Sequence, residues 1–144
     1  PDVAYTAHIY STNFLKNDIR ILYSSLTRPA TTFQYDAVSD TMHTLKTDEI
    51  PSGFNPTDYH IERIFARTDD GVDVPVTLAY KKSLFKKTGQ NPLYLYGYGS
   101  YGIELSPSFR NSAISIINRG FVFALAHQTN VLLLLFYFCE DDLP

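Results

Sequence analysis

The sequence predicts a mixed β and α/β chain. Three observations predict it: short β-type runs separated by turn residues fill Asp18 to Lys46, a proline- and glycine-bearing stretch interrupts the chain from Ile50 to Asp58, and beyond it two apolar runs flank a segment with helix punctuation. Composition sets the outer bounds. The 144 residues carry 12 Lys+Arg against 15 Asp+Glu, a formal charge of −3, and 44% are hydrophobic. With 11 Tyr and 10 Phe there is enough apolar surface for burial to offset chain entropy, which excludes intrinsic disorder. Mild acidity removes any global electrostatic reason to bind nucleic acid, and no local basic patch of adequate size replaces it.

In the first part, Ile19 to Ser24, Thr31 to Tyr35 and Met42 to Leu45 have strand character, and Asp36-Ala37-Val38-Ser39-Asp40 stands where a hairpin connection belongs. This is an antiparallel meander. Alone it leaves a face and both edges uncovered, so it needs neighbours, as one blade does in a propeller. Ile50-Pro51-Ser52-Gly53-Phe54-Asn55-Pro56-Thr57-Asp58 disfavours helix and strand interiors, and the domain border is placed there, with residues 1–48 before a linker at 49–58 and a second unit from 59 to 144.

In that second unit Tyr59 to Arg67 and Val72 to Tyr80 flank Asp69-Asp70-Gly71, whose Asp-Gly step suits a tight hairpin. Val72, Val74, Val76, Leu78 and Tyr80 alternate with Asp73, Thr77 and Lys81, which predicts a half-buried antiparallel pair. Lys81, Lys82, Lys86 and Lys87 form a basic cluster, read as a solvated connection rather than a phosphate contact. Leu93-Tyr94-Leu95-Tyr96 is continuous rather than alternating, as expected of a strand covered on both faces. Ser106 as N-cap, Pro107 at the first helical position and Gly120 at the stop bracket a helix, with Phe109, Ala113, Ile114, Ile116 and Ile117 on its apolar side and Arg119 at its negative end. Phe121 to Ala126 follows as a buried strand. Strand, helix and strand make a βαβ unit, so Leu93–Tyr96 and Phe121–Ala126 are expected to be parallel.

The glycine-rich turn between them admits three chemistries. Gly97-Tyr98-Gly99-Ser100-Tyr101-Gly102 matches G-x-G-x-x-G, the loop that lets backbone amides approach a dinucleotide pyrophosphate. That site also wants an acidic residue at the end of the next strand, where His127-Gln128-Thr129 stands instead, and no Asp or Glu lies between Glu104 and Glu140. Ser100 resembles the serine of a nucleophile elbow, but Tyr98 occupies the position of its first glycine, so Ser100 is read as a turn residue. Lastly, a tyrosine at the C-terminal edge of a parallel sheet can donate its phenolic O–H to a developing oxyanion. The competing reading makes Tyr94, Tyr96, Tyr98 and Tyr101 packing aromatics.

No metal site is expected, because His8, His43, His60 and His127 are scattered and Cys139 is the single cysteine. No cofactor is expected either. Cys139 has no intrachain disulfide partner, which makes a reducing, cytoplasmic setting the default. Pro1-Asp2-Val3-Ala4-Tyr5 shows neither signal nor transit peptide and reads as a cut end. The run from Val131 to Cys139 is far shorter than the roughly 20 residues of a membrane-spanning helix, so no membrane partner is expected.

The string Asn91-Pro92-Leu93-Tyr94-Leu95-Tyr96-Gly97-Tyr98-Gly99-Ser100-Tyr101-Gly102 resembles the opening of the peptidase domain in the prolyl oligopeptidase family, most of all its oligopeptidase B branch. Tyr23-Ser24-Ser25-Leu26-Thr27-Arg28-Pro29, Asp70-Gly71-Val72-Asp73-Val74-Pro75-Val76 and Arg119-Gly120-Phe121-Val122 match in the same order. The resemblance implies a serine peptidase in which a β-propeller covers an α/β-hydrolase domain, with cleavage of short peptides after Arg or Lys. Residues to about Asp48 would be the last propeller blade, and Tyr59 onward the first part of the hydrolase fold. It also implies that Tyr98 is the oxyanion-hole donor.

The likeness stops at His127. Where the family continues with an Arg-Gly-Gly-Gly-Glu stretch, this chain has Gln128-Thr129-Asn130, an apolar run and Glu140-Asp141-Asp142-Leu143-Pro144. The family's serine, aspartate and histidine come later still. The resemblance therefore implies a truncated piece that is inactive alone, with an atypical tail at 128–144. A non-catalytic module that pairs through exposed strand edges, or aggregates by them, is the alternative.

Overall fold

The computed structural model describes residues 1–12, 17–69, 71–99 and 105–127. Asp70, Ser100 to Gly102 of the glycine-rich turn and the tail at 128–144 lie outside the described residues.

The first sheet contains β1 (Tyr5–Thr12), β2 (Asp18–Ser25), β3 (Arg28–Asp36) and β4 (Thr41–Thr47), antiparallel and in that spatial order. Three of these are the strands of the expected meander, and β1 is an addition to it. The β3–β4 turn forms as its composition requires. The Asp36 carboxylate accepts from the backbone N–H groups of Val38 (2.8 Å) and Ser39 (3.1 Å), and Asp40 takes a left-handed φ of 51°. Those donors, Ser39 foremost, hold the Asp36 carboxyl below the usual carboxylate range. Strand β4 is exposed at every position, which is what an edge without a neighbour looks like.

The second sheet has β5 (Tyr59–Arg67), β6 (Asp73–Lys81), β7 (Leu93–Gly97) and β8 (Val122–Ala126), in the order β5-β6-β8-β7. The β5–β6 hairpin closes through Thr68 N–H to Val72 O and Gly71 N–H to Thr68 O, both 2.9 Å, with Gly71 at φ +83°. As the βαβ pattern requires, β7 and β8 are parallel. The intervening helix α1 (Asn111–Ile117) packs on one face of this sheet. Its Ala113, Ile114 and Ile117 join Ala79, Phe123 and Leu125 in one core, while Val76, Leu78, Val122, Ala124 and Ala126 build a second core on the opposite face.

Three expectations need correction. β6 is not half-buried: Thr77 and Ala79, on the face assigned to solvent, are wholly buried. The alternation was read on an isolated pair, whereas β8 adds to the far side of β6 and α1 caps the Thr77 face. β7 is not covered on both faces. It is the sheet edge among the described residues, and Tyr94 and Leu95 remain 42% and 37% exposed. The helix is shorter than its punctuation suggested, since Arg110 rather than Ser106 is the N-cap and no side chain caps it. Residues 105–110 are non-helical, and Phe109 N–H, the donor that an N-cap at Ser106 would receive, goes instead to the Ser24 hydroxyl of the first sheet at 2.9 Å. The stop residue, Gly120, does take a left-handed φ of +91°.

Candidate active site

Site geometry follows from the parallel pair. Register aligns Gly97 with Ala126, so the next residues, Tyr98 and His127, leave β7 and β8 at the same C-terminal edge. Ligand sites in open α/β sheets gather at that edge. A Cβ at Gly97 would lie 3.5 Å from the Ala126 Cβ, an ordinary contact, so the two strands end side by side without needing a glycine there. Tyr98 is 40% exposed.

The other tyrosines of the motif behave differently. The Tyr94 ring stacks on Phe123 with centroids 5.6 Å apart, and Tyr96 lies 6.5 Å from the same ring. Tyr96 also carries the Arg110 guanidinium over its face at 4.9 Å. These two rings are packing aromatics, as the competing reading held. Tyr101 lies outside the described residues, as does Ser100.

Two side chains meet at this edge and a third, at the opposite end of β7, secures the strand; of the three, the sequence had singled out only His127, at the end of the second parallel strand. Thr77 Oγ1 and His127 Nε2 are joined by a hydrogen bond of 2.8 Å, and His127 N–H donates to Pro75 O at 2.9 Å, which ties the end of β8 to β6. Alternation had placed Thr77 in solvent, so no sequence signal pointed to this pair. Asn91 anchors the entry to β7. Its Oδ1 accepts from Lys86 N–H, and its Nδ2 donates to Leu84 O (2.9 Å) and Gly120 O (2.8 Å). The one available hint was an Asn directly before a proline at the start of an apolar strand.

The remaining histidines are dispersed, and no group of three His, Cys, Asp or Glu side chains among the described residues could hold a metal ion. The lysine cluster is a loop feature: Lys82, Lys86 and Lys87 are exposed, and Lys82 Nζ donates to Thr57 O at 2.9 Å. No helix among the described residues is long and apolar enough to cross a membrane.

No family model matches the chain. Individual proteins do. A dipeptidyl aminopeptidase BI from Pseudoxanthomonas mexicana is 38% identical over 110 residues, which is 76% of this chain and 15% of that protein. Protease 2 from Moraxella lacunata is 31% identical over 123 residues, 85% of this chain and 18% of the relative. Among solved structures, oligopeptidase B from Leishmania major superposes with a TM-score of 0.78 at 32% identity, covering 88% of this chain and 18% of its own. The Leishmania protein matches in sequence and in fold at once, over a length that takes in both sheets. The chain belongs to the prolyl oligopeptidase family, spanning less than a fifth of the length of the relatives it matches.

Proposed function

We propose that the chain supplies the oxyanion-hole tyrosine of a serine peptidase that hydrolyses short peptides after Arg or Lys, and that it is catalytically silent by itself. The reading is carried by one observation: Tyr98 directly follows a parallel strand, at the edge where Gly97 faces Ala126, and keeps 40% of its surface accessible. A phenolic O–H held there can donate to the negative oxygen that forms when a nucleophile adds to a peptide carbonyl. Such a donor lowers a barrier only if something attacks, and the described residues contain no Ser-His-Asp set. In this scheme residues 1–48 are the last propeller blade, 49–58 the linker and 59 onward the beginning of the hydrolase domain.

Two measurements test it. The purified chain is expected to show no turnover of a short Arg-ending amide, and turnover abolished by Ser100→Ala would overturn the silent reading. Grafting Asn91–Gly102 into the matching segment of oligopeptidase B is expected to preserve activity. Tyr98→Phe in that graft then lowers kcat by about 10² to 10³ with little change in KM, the effect of losing one oxyanion donor. An unchanged kcat removes Tyr98 from the mechanism.

One observation favours a second reading, a non-catalytic module that pairs through its strand edges: β4 is exposed along its whole length. A defined hetero-complex would support it. A monodisperse monomer at all concentrations would exclude it.

A further inference from the structure

The two sheets meet at a contact that neither catalysis nor strand pairing requires. The β2–β3 turn of the first sheet, Leu26-Thr27, projects into the second: Leu26 is 1% exposed and belongs to the core of Tyr59, Ala79, Ala113 and Ile117. One residue before the end of β2, the Ser24 hydroxyl accepts from Phe109 N–H at 2.9 Å and donates to Arg28 O at 3.2 Å. Between these points lies an aromatic trio. Phe54 of the connecting stretch stacks on Tyr59 at 4.8 Å and meets Phe109 edge-on at 5.1 Å. Phe109 is followed by Arg110, the residue whose guanidinium covers Tyr96 of β7.

We propose that the β2–β3 hairpin is a two-point latch, with Leu26 as an apolar plug and the Ser24 hydroxyl as a hook, that fixes residues 105–110 against the first sheet and thereby positions Arg110 on β7. The two points differ in kind. Burial of Leu26 is non-directional and holds the sheets together. The Ser24–Phe109 bond is directional and sets where the 105–110 segment runs. Without the hook, Phe109 N–H has no strand or helix partner, and the segment is free to wind the helix back toward Ser106 as its sequence prefers. Ser24 is thus a positioning residue for the strand that ends at Tyr98, and only that last link rests on the proposed role of Tyr98.

Amide hydrogen exchange on the full chain tests the latch without requiring activity. In Ser24→Ala, exchange at Phe109 N–H is expected to accelerate by about tenfold, the upper end for one lost hydrogen bond, while Ala124 N–H in the centre of β8 changes by less than roughly threefold. The milder plug variant Leu26→Val is expected to deprotect Phe109 in the same selective way. Unchanged exchange at Phe109 in Ser24→Ala would overturn the proposal. So would equal acceleration at Phe109 and Ala124, including outright unfolding, because Ser24 would then be a general stability residue. Absence of protection at Phe109 in the unsubstituted chain also ends it.

Discussion

Tyr80 shows how a single ring reports its surroundings. It stacks on Phe85 with centroids 4.0 Å apart and lies 5.2 Å from His60. Burial first, then the negative charge of the neighbouring Glu62 carboxylate, push the phenol up to about 12. Because the folded form holds this proton more tightly than the unfolded one, the associated stability is complete below about pH 10 and is lost as pH rises toward 12. Tyr80→Phe keeps the ring and its stack but removes the titration. Urea midpoints measured from pH 8 to 12 are therefore expected to fall less steeply for the variant than for the parent chain. Parallel curves would show that Tyr80 does not contribute to the alkaline transition. Sequence alone showed Tyr80 as the last apolar position of an alternating strand in a β5–β6 hairpin, which is right about its face and its partner strand, but Glu62 comes beside it through the register of that hairpin, which puts His60 opposite Tyr80 and was not read from the sequence.

Among the elements, β7 depends on a residue outside it. Asn91 closes three backbone groups that would otherwise be left open: Lys86 N–H, Leu84 O and Gly120 O. One side chain thus joins the lysine-bearing loop, the turn after α1 and the entry to β7. Asn91→Ala is expected to destabilise the chain by about 1 kcal/mol, because only the Gly120 carbonyl is partly buried while the Lys86 and Leu84 groups can turn to water. Asn91→Asp is expected to be no better, because a carboxylate accepts from Lys86 N–H but cannot donate to the two carbonyls. Chemical denaturation of the three proteins checks both statements, and an Asp variant as stable as the parent would refute the donor role. The legibility of elements follows the same logic. Strand pairs joined by turns, and the βαβ unit, are local patterns and were visible. The start of α1 was not, because a hydroxyl 85 residues upstream takes the amide of Phe109 and overrides the N-cap at Ser106. Likewise the exposure of β7 depends on which strands lie beside it, and an apolar run cannot report its neighbours.

At the scale of the whole molecule, the chain has two four-stranded sheets, and each ends in strands paired on one side only among the described residues. Unpaired edges template association with another chain unless charge, proline or a bulge blocks them. The edges are not equally protected. β4 exposes Met42 and Leu45 but carries Lys46, His43 and polar Thr41, Thr44 and Thr47 among them, whereas β7 is Leu93-Tyr94-Leu95-Tyr96-Gly97, uncharged, with Pro92 only at its start. Tyr94 and Leu95 add exposed apolar surface to the open hydrogen-bonding groups of that strand. The purified chain is therefore expected to self-associate with rising concentration and to unfold with low cooperativity, since sheets open at their edges leave much of their burial incomplete. Leu95→Lys places a charge at the centre of the exposed edge and is expected to shift the association to higher concentration, while Thr44→Lys on β4 has the smaller effect. Sedimentation velocity over a concentration series reads both. If Thr44→Lys suppresses association and Leu95→Lys does not, the first sheet rather than the second carries the adhesive edge, and the ranking of the edges by charge is wrong.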